Sequence, residues 1–233
     1  MAEWLVEEGI GEERAILVDD GVIRAARLYW PGRLAAGQVE DAVLASRHKG
    51  SARGTVRFAS GEEALVDRLP REAKEGAPLR VEITREAVRE RDRLKLAHAR
   101  PSDADPRPAP GLVEQLRSEG FEARSVRRFD RGDWDEHWLE AWQGSVAFDL
   151  GEIAFFDTSA MTLIDVDGPN DPLALSLAAV PTIASALRRF DMGGSIGIDF
   201  PTLVTKQDRK AVDIELGEML ADWPHERTAM NGF

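Results

Sequence analysis

The chain has 233 residues, 43% of them hydrophobic and 31% charged, which is enough apolar material for a core and excludes a chain disordered throughout. It contains no cysteine, which excludes disulfide bonds, thiolate metal sites and a cysteine nucleophile. No apolar run reaches the roughly 18 residues of a membrane span, and the acidic N-terminus is unlike a secretory signal. We expect a cytoplasmic globular protein, with no membrane association, that forms one large domain or two small ones.

The net charge of -12 is unevenly distributed along the chain. Residues 1–100 carry 18 basic and 18 acidic side chains, whereas residues 101–233 carry 12 and 24. Within the neutral half, residues 44–60 contain no acid and hold Arg47, Lys49, Arg53 and Arg57. Such a basic strip can attract a polyanion even when the total charge is negative. A solvated loop face is the competing interpretation.

Short strands and turns fill the first hundred residues. Asp20-Gly21 between the apolar runs 14–19 and 22–28 predicts a β-hairpin, because glycine accepts positive φ without steric cost. Further strands are predicted over Val39–Ala45, Gly54–Phe58, Glu63–Val66 and Leu79–Thr84. Their close spacing, with Gly-, Ser- and Pro-bearing turns between them, is typical of a small barrel or sandwich.

Residues 101–110 contain four prolines and no large apolar side chain, which predicts a stiff, extended linker. Two short helices are predicted after it, over 111–119 and 135–144. Trp134, Trp138 and Trp142 are spaced four residues apart, so they share one helical face. We expect this face to be buried against a sheet; a base-stacking or partner-docking stripe is the alternative.

The last part of the chain has an α/β pattern. Strands are predicted over 153–156, 161–166 and 196–200, with a long helix over 172–190 between the last two. A strand, a crossover helix and a second strand form a βαβ unit, which predicts that the two strands are parallel neighbours.

Asp165 and Asp199 lie at the ends of these two strands. If the strands are parallel neighbours, both carboxylates emerge at the same edge of the sheet, where open α/β sheets bind their ligands. Carboxylate oxygens around a partly hydrated Mg²⁺ suit phosphate chemistry. Asp167 could supply a third oxygen if the strand ends in a turn there. The alternative is that these aspartates are only helix caps or turn residues.

The segments Thr158–Gly168 and Ala184–Phe200 resemble the catalytic core of the RNase E/G family of ribonucleases. That family has a strand ending in Ile-Asp-(Ile/Val)-Asn, a long helix ending in Arg-Asp-(Leu/Ile)-Gly-Gly and a strand ending in Ile-Asp-Phe. The matching residues in this chain are Ile164–Asp167, Asp191–Gly194 and Ile198–Phe200. The resemblance extends more weakly into the first hundred residues, where the family has an opening hairpin and an inserted OB-fold.

The resemblance implies a metal-dependent endoribonuclease that cleaves single-stranded RNA and leaves a 5′-phosphate and a 3′-hydroxyl. The family's two Mg²⁺-binding aspartates fall on Asp165 and Asp199, and a residue that orients this site falls on Asp167. We expect Mg²⁺, or Mn²⁺ in its place. The family's basic RNA contacts after the last barrel strand fall on Arg85 and Arg91. The expected partners are single-stranded RNA and either a second copy of the chain or another protein of RNA turnover.

The expected fold is α+β, with a small OB-like β-barrel module joined to an α/β nuclease-like half of DNase I-like or RNase H-like type. The predicted domains are a β-hairpin that packs with the C-terminal half, an OB-fold-like RNA-binding module, a proline-rich linker and a nuclease-like catalytic domain, over residues 1–33, 34–98, 99–112 and 113–233. Beside the family that it resembles, this chain looks like a shortened form, in which the linker replaces the domain that senses RNA 5′ ends and the zinc-link cysteines are absent.

Some family residues are replaced in this chain. The family's Asn falls on Asp167, and its last aspartate falls on Thr202. Two aromatic residues that stack on RNA fall on Val56 and Val66, where no ring can hold a base. These departures motivate the alternative function, a non-catalytic relative that binds RNA or serves as a scaffold in RNA turnover.

Overall fold

The computed structural model describes residues 2–90, 93–130, 133–169 and 171–230. By backbone contacts the chain divides into two compact units. We call them the barrel unit, made of Glu8–Arg14 and Leu28–Ser125, and the sheet unit, made of Met1–Glu7, Ala15–Arg27 and Val126–Phe233. The chain is therefore a mixed α+β protein.

Strands make up the first half of the chain, and helices alternate with strands in the second half. The strands of the first half are β1 (Glu3–Glu8), β2 (Glu13–Asp19), β3 (Val22–Tyr29), β4 (Val39–Arg47), β5 (Gly54–Arg57), β6 (Glu63–Val66), β7 (Pro78–Arg85), β8 (Val88–Glu90), β9 (Arg93–Lys95) and β10 (Ala97–Pro101). The remaining elements are α1 (Leu112–Ser118), β11 (Ala123–Val126), α2 (Asp133–Gln143), β12 (Ser145–Phe148), β13 (Gly151–Asp157), β14 (Thr162–Asp167), α3 (Pro172–Arg189), β15 (Ile196–Asp199) and α4 (Lys206–Met219).

A closed barrel of five strands is the centre of the barrel unit. The strands follow one another around it in the order β10-β6-β5-β4-β7, with β10 also paired to β7. All neighbours are antiparallel except β6 and β10, which are parallel. The core of the barrel consists of Leu34, Ala42, Leu44, Val56, Phe58, Ala64, Val66, Leu69, Val81, Ile83, Ala97 and Ala99. A closed five-stranded barrel of this kind is compatible with an OB-like module.

The expectation that Val56 and Val66 occupy RNA-stacking positions is wrong. Both side chains are buried in the barrel core, because successive residues of a strand alternate between its two faces. Their neighbours Thr55 and Leu65 are register partners on β5 and β6 and are only half-buried. An aromatic side chain in place of either valine would point into the core, where no base can reach it.

The proline-rich segment is joined to the barrel by backbone hydrogen bonds. Residues 99–101, which the sequence places in the linker, form the end of β10. Further along, Arg107 N–H donates to the Val39 carbonyl at 2.9 Å, and Val39 N–H donates to the Arg107 carbonyl at 3.0 Å. Pro101 is accommodated because it is the last residue of its strand, where a missing N–H costs little.

The sheet unit contains a four-stranded sheet in the order β12-β13-β14-β15. The first three strands are antiparallel neighbours, and β14 and β15 are parallel. The predicted parallel pairing across a helical crossover is therefore confirmed. Helix α3 begins at Pro172, and its N-cap Asp171 accepts the Ala174 N–H at 3.1 Å. The helix packs on one face of the sheet, around buried residues such as Ile153, Ile164 and Ile183.

The expected burial of the tryptophan stripe on α2 is wrong for Trp138 and Trp142, and Trp134 is only half-buried. Trp134 packs edge-on against Phe129, but Trp138 is 51% exposed and Trp142 is 77% exposed. Residues four apart on an α-helix are offset by about 40° around its axis. Trp142 is therefore about 80° around the helix from Trp134 and does not face the same neighbours. Helix α2 instead faces α3 through His137, whose ring contacts Arg189.

No helix within the described residues is long and apolar enough to cross a membrane.

Gly151, the first residue of β13, lies against the backbone of β14. A Cβ added there would be 2.2 Å from the Asp167 carbonyl oxygen and 3.0 Å from Leu175. We predict that Gly151→Ala lowers the free energy of unfolding by about 2 kcal/mol, because the strands must separate to admit the methyl group. Urea denaturation measures this change.

Gly193→Ala is the matched control, since a Cβ at Gly193 would meet no atom within 4 Å. It should leave stability unchanged or slightly raised. Equal free energies of unfolding for the two variants would contradict the close packing at Gly151.

Candidate functional site

Asp165 and Asp199 are directly paired across the parallel strands β14 and β15. Neighbouring strands are about 4.8 Å apart, and paired residues of parallel strands point to the same face of a sheet. The two carboxylates therefore lie side by side at the carboxyl edge of this pair.

These carboxylates lie on the face of the sheet opposite α3. Ile164 and Val166, which flank Asp165 along the strand, are buried in the core beneath the helix. Alternation along the strand directs Asp165 to the other face, where it is half-buried, and Asp199 beside it is exposed. On the other side of Asp165 its partner on β13 is Ala154, a small residue that leaves space around the carboxylate.

Asp167 does not complete a three-carboxylate site. The strand continues without a turn through Asp167, which lies about 6.6 Å further along β14 than Asp165. Its Oδ1 accepts the Gly168 N–H at 2.9 Å. Among the described residues, no group of three or more His, Cys, Asp or Glu side chains is arranged to hold a metal ion. The third oxygen expected from Asp167 is therefore not supplied.

The donor set that remains still fits a hard divalent cation. Mg²⁺ is commonly bound through one or two carboxylates, with waters and substrate phosphates completing its coordination. Asp167 and its register partner Glu152 add two further negative charges to the same face. Four carboxylates on one face produce a negative potential that attracts cations and repels free phosphate.

Arg47, one of the predicted RNA contacts, instead holds the loop between β6 and β7. Its guanidinium Nη1 donates to the carbonyl oxygens of Pro70, Arg71 and Ala73 at 3.1, 3.1 and 2.9 Å. Its own backbone N–H donates to Glu75 Oε1 at 2.6 Å. These contacts make Arg47 a structural residue.

Two other arginines of the basic strip form ion pairs on the surface of the barrel. Arg53 lies 2.9 Å from Asp67, and Arg57 lies 2.7 Å from Glu63, its register partner on the adjacent strand. Lys49 is exposed and forms neither an ion pair nor a hydrogen bond with the described residues. The strip is free of acids along the sequence, but the fold places acidic side chains beside it.

Arg85 donates to the carbonyl oxygens of Glu86 and Leu96 at 3.0 and 2.9 Å, so it holds the two ends of the β8–β9 hairpin together. Arg91 lies outside the described residues.

The barrel unit contains a cleft of about 330 Å³ that no sequence motif predicted. Its wall includes Glu13, Tyr29, Arg33, Gln38 and Glu40. Glu13 accepts the N–H of the first residue of α1 at 2.7 Å, and Gln38 donates to Glu40 at 2.6 Å. The wall of the cleft combines residues from 13 to 111, so no local motif in the sequence indicates it.

Burial raises the pKa of Tyr29 above its usual value, and the nearby charges of Glu13 and Glu86 raise it further. All three causes disfavour the phenolate. The folded state therefore retains this proton to higher pH than the unfolded state does, and stability falls as pH rises through and above about 10.

No protein-family model matches the chain, and no match was found among the curated proteins. The assignment to the RNase E/G family therefore stays a prediction.

We predict that Arg47→Ala lowers the free energy of unfolding by about 2 kcal/mol, because it removes the side-chain donor that three loop carbonyls share. Lys49→Ala is the matched control and should change stability by less than about 0.5 kcal/mol, since the side chain is exposed. Urea denaturation measures both variants. If both are equally stable, the assignment of Arg47 to a structural role fails.

The single tyrosine allows its ionisation to be followed directly by ultraviolet absorbance as pH is raised. We predict a midpoint for Tyr29 above 10 and a lower midpoint in Glu13→Gln, which removes a negative charge beside the phenol. Glu40→Gln, in the wall of the same cleft, should leave the midpoint unchanged. A midpoint that responds equally to both substitutions would contradict the specific effect of Glu13.

Proposed function

We propose that the chain is a metal-dependent endoribonuclease that cleaves single-stranded RNA, with Mg²⁺ held by Asp165 and Asp199. The cleavage would leave a 5′-phosphate and a 3′-hydroxyl, as the resemblance to the RNase E/G family implies. The observation that carries the proposal is the direct pairing of the two aspartates at the carboxyl edge of β14 and β15. Paired carboxylates on an open sheet edge are a suitable site for a cation that acts on phosphate.

The roles of the two aspartates differ with their exposure. Asp165, half-buried beside Ala154, is the more constrained ligand and fixes where a cation is held. Asp199 is exposed and leaves one side of the site open to RNA. A divalent cation bound there supplies Lewis-acid stabilisation of the charge that develops on the phosphate and promotes ionisation of the attacking water.

The acidic surroundings of the site support a requirement for the cation. Glu152 and Asp167 lie on the same face as the aspartate pair, so a phosphodiester approaching without a counter-ion meets four negative charges. Binding of RNA and binding of the cation should therefore be coupled.

RNA contacts on the barrel would come from Lys49, Arg53 and Arg57. Exposed ion pairs such as those of Arg53 and Arg57 contribute only about 0–1 kcal/mol, so a phosphate can replace the carboxylate at little cost. Arg47 and Arg85 are left out of the proposed RNA surface, because they already hold loop carbonyls.

The second candidate is a non-catalytic protein that binds RNA or serves as a scaffold in RNA turnover. One observation favours it: within the described residues, no third ligand joins Asp165 and Asp199. Under this alternative the barrel retains RNA binding, and the aspartate pair has no role in chemistry.

We predict that the purified protein cleaves a fluorescent A/U-rich single-stranded RNA in Mg²⁺ and not in EDTA. The double variant Asp165→Asn, Asp199→Asn should lose at least about 100-fold in rate, since loss of the cation removes several kcal/mol of transition-state stabilisation. Product ends are identified by their susceptibility to a 5′-phosphate-dependent exonuclease.

Glu152→Gln is the matched control, because it removes a carboxylate from the same face without touching the pair. Its rate should stay within a few fold of the unchanged protein. RNA binding without cleavage, equal in the unchanged protein and the double variant, would support the non-catalytic alternative. Equal cleavage by both would show that the aspartates are not the site.

A further inference from the structure

Helix α2 presents an unusual amount of aromatic surface to solvent. None of its residues is buried, and Trp138, Leu139 and Trp142 are 51%, 48% and 77% exposed. Asp135 lies on the same side of the helix, three residues before Trp138 and seven before Trp142. We refer to Asp135, Trp138, Leu139 and Trp142 as the α2 indole face.

The two exposed tryptophans form an ordered platform. Their ring centroids are 5.6 Å apart and their planes differ by only 7°, so the indoles are stacked. In this stack each indole covers one face of the other, and Trp142, at the C-terminal end of the helix, is the more exposed of the two. Stacking limits side-chain rotation, which lowers the entropy that a bound partner must overcome.

Other residues of α2 anchor this platform to the sheet unit. Trp134 contacts Phe129 with ring centroids 5.5 Å apart. The Arg189 guanidinium donates to Glu140 at 2.7 Å and to His137 Nδ1 at 2.5 Å. The helix is thereby fixed through residues that the indole face does not use.

The charges of α2 select the chemistry of a partner. The helix contains Asp133, Asp135, Glu136 and Glu140 and no Lys or Arg. Of these acids, Asp135 is exposed and lies on the side of the helix that carries the indoles. A carboxylate at this position repels the phosphates of a nucleic acid and attracts a cationic group, and the face of an indole is the best aromatic surface for a cation.

Two other tryptophans of the chain already bind a cation in this way. The Arg27 guanidinium lies 5.3 Å from the Trp4 ring, and the Arg188 guanidinium lies 5.8 Å from the Trp223 ring. Within the described residues, no guanidinium or ammonium group covers Trp138 or Trp142. The indole rings of the α2 indole face could therefore bind an arginine, and no arginine among the described residues occupies them.

We propose that the α2 indole face docks a basic, arginine-bearing peptide segment of a partner protein. An arginine of that segment stacks on the Trp142 ring, and Asp135, two turns before Trp142 on the same side of the helix, balances a further positive charge of the segment. This binding site lies beyond the proposed ribonuclease activity and does not depend on it.

The test uses the full chain and a fluorescein-labelled synthetic peptide of alternating arginine and glycine, with binding followed by fluorescence anisotropy. The comparison peptide replaces every arginine by citrulline, which keeps the shape and removes the charge. We expect the citrulline peptide, and also the variant Trp138→Ala, Trp142→Ala, to weaken binding by about tenfold or more. Asp135→Asn should weaken it and reduce its dependence on salt.

Trp30→Ala is the matched control, because Trp30 is an exposed tryptophan in the barrel unit. It should leave peptide affinity unchanged. Trp142→Phe, which keeps an aromatic ring at an exposed position, should retain more affinity than Trp142→Ala.

Three results would overturn the proposal. The first is no binding of the arginine peptide, and the second is binding that the tryptophan variants do not weaken. The third is single-stranded RNA binding that depends on Trp138 and Trp142 while peptide binding does not, which would assign the stack to nucleic-acid bases. Circular dichroism and urea midpoints equal to those of the unchanged protein establish that each variant is folded.

Discussion

The parallel pairing of β14 and β15 is the constraint on which the candidate catalytic site depends. Helix α3 connects the two strands, and its apolar side covers one face of the sheet, so Ile164 and Ile198 must face inward together. A shift of one residue would turn the apolar side chains of one strand outward. The core therefore fixes the register, and the register sets Asp165 beside Asp199.

Much of this arrangement could be predicted from local pattern. The apolar runs before Asp165 and Asp199, with a long amphipathic helix between them, were sufficient to predict the parallel strands. The role of Asp167 depended on where the strand ends, and the turn residues Asp167, Gly168 and Pro169 begin only at Asp167, so β14 continues through it. The orientation of α2 depended on what occupied its inner side, and the contact of His137 with Arg189 joins residues 52 positions apart. Contacts at such separation leave no periodic signal.

The charge of the basic strip could not be predicted from the sequence alone, because its acidic partners lie beyond the strip along the chain and are brought beside it by the fold. Arg57 has no acidic neighbour in sequence until Glu62, yet β6 places Glu63 directly opposite it. The same cross-strand pairing occurs between Asp41 and Arg80, where the guanidinium lowers the pKa of the Asp41 carboxyl. Ion pairs of this kind balance the charges on the barrel surface. The uncompensated negative charge is on the face of the β12–β15 sheet opposite α3.

The parallel pairing of β6 with β10 has a consequence for how the barrel forms during synthesis. Strands β4 to β7 can associate by antiparallel pairing alone, but the resulting sheet has two unpaired edges, at β6 and at β7. Both edges are covered by one strand, β10, which pairs with each of them. Until Pro101 has left the ribosome the nascent barrel is an open sheet with exposed backbone donors and acceptors, the state in which strands of separate chains associate. The short interval between β7 and β10 limits the time that the chain spends in that state.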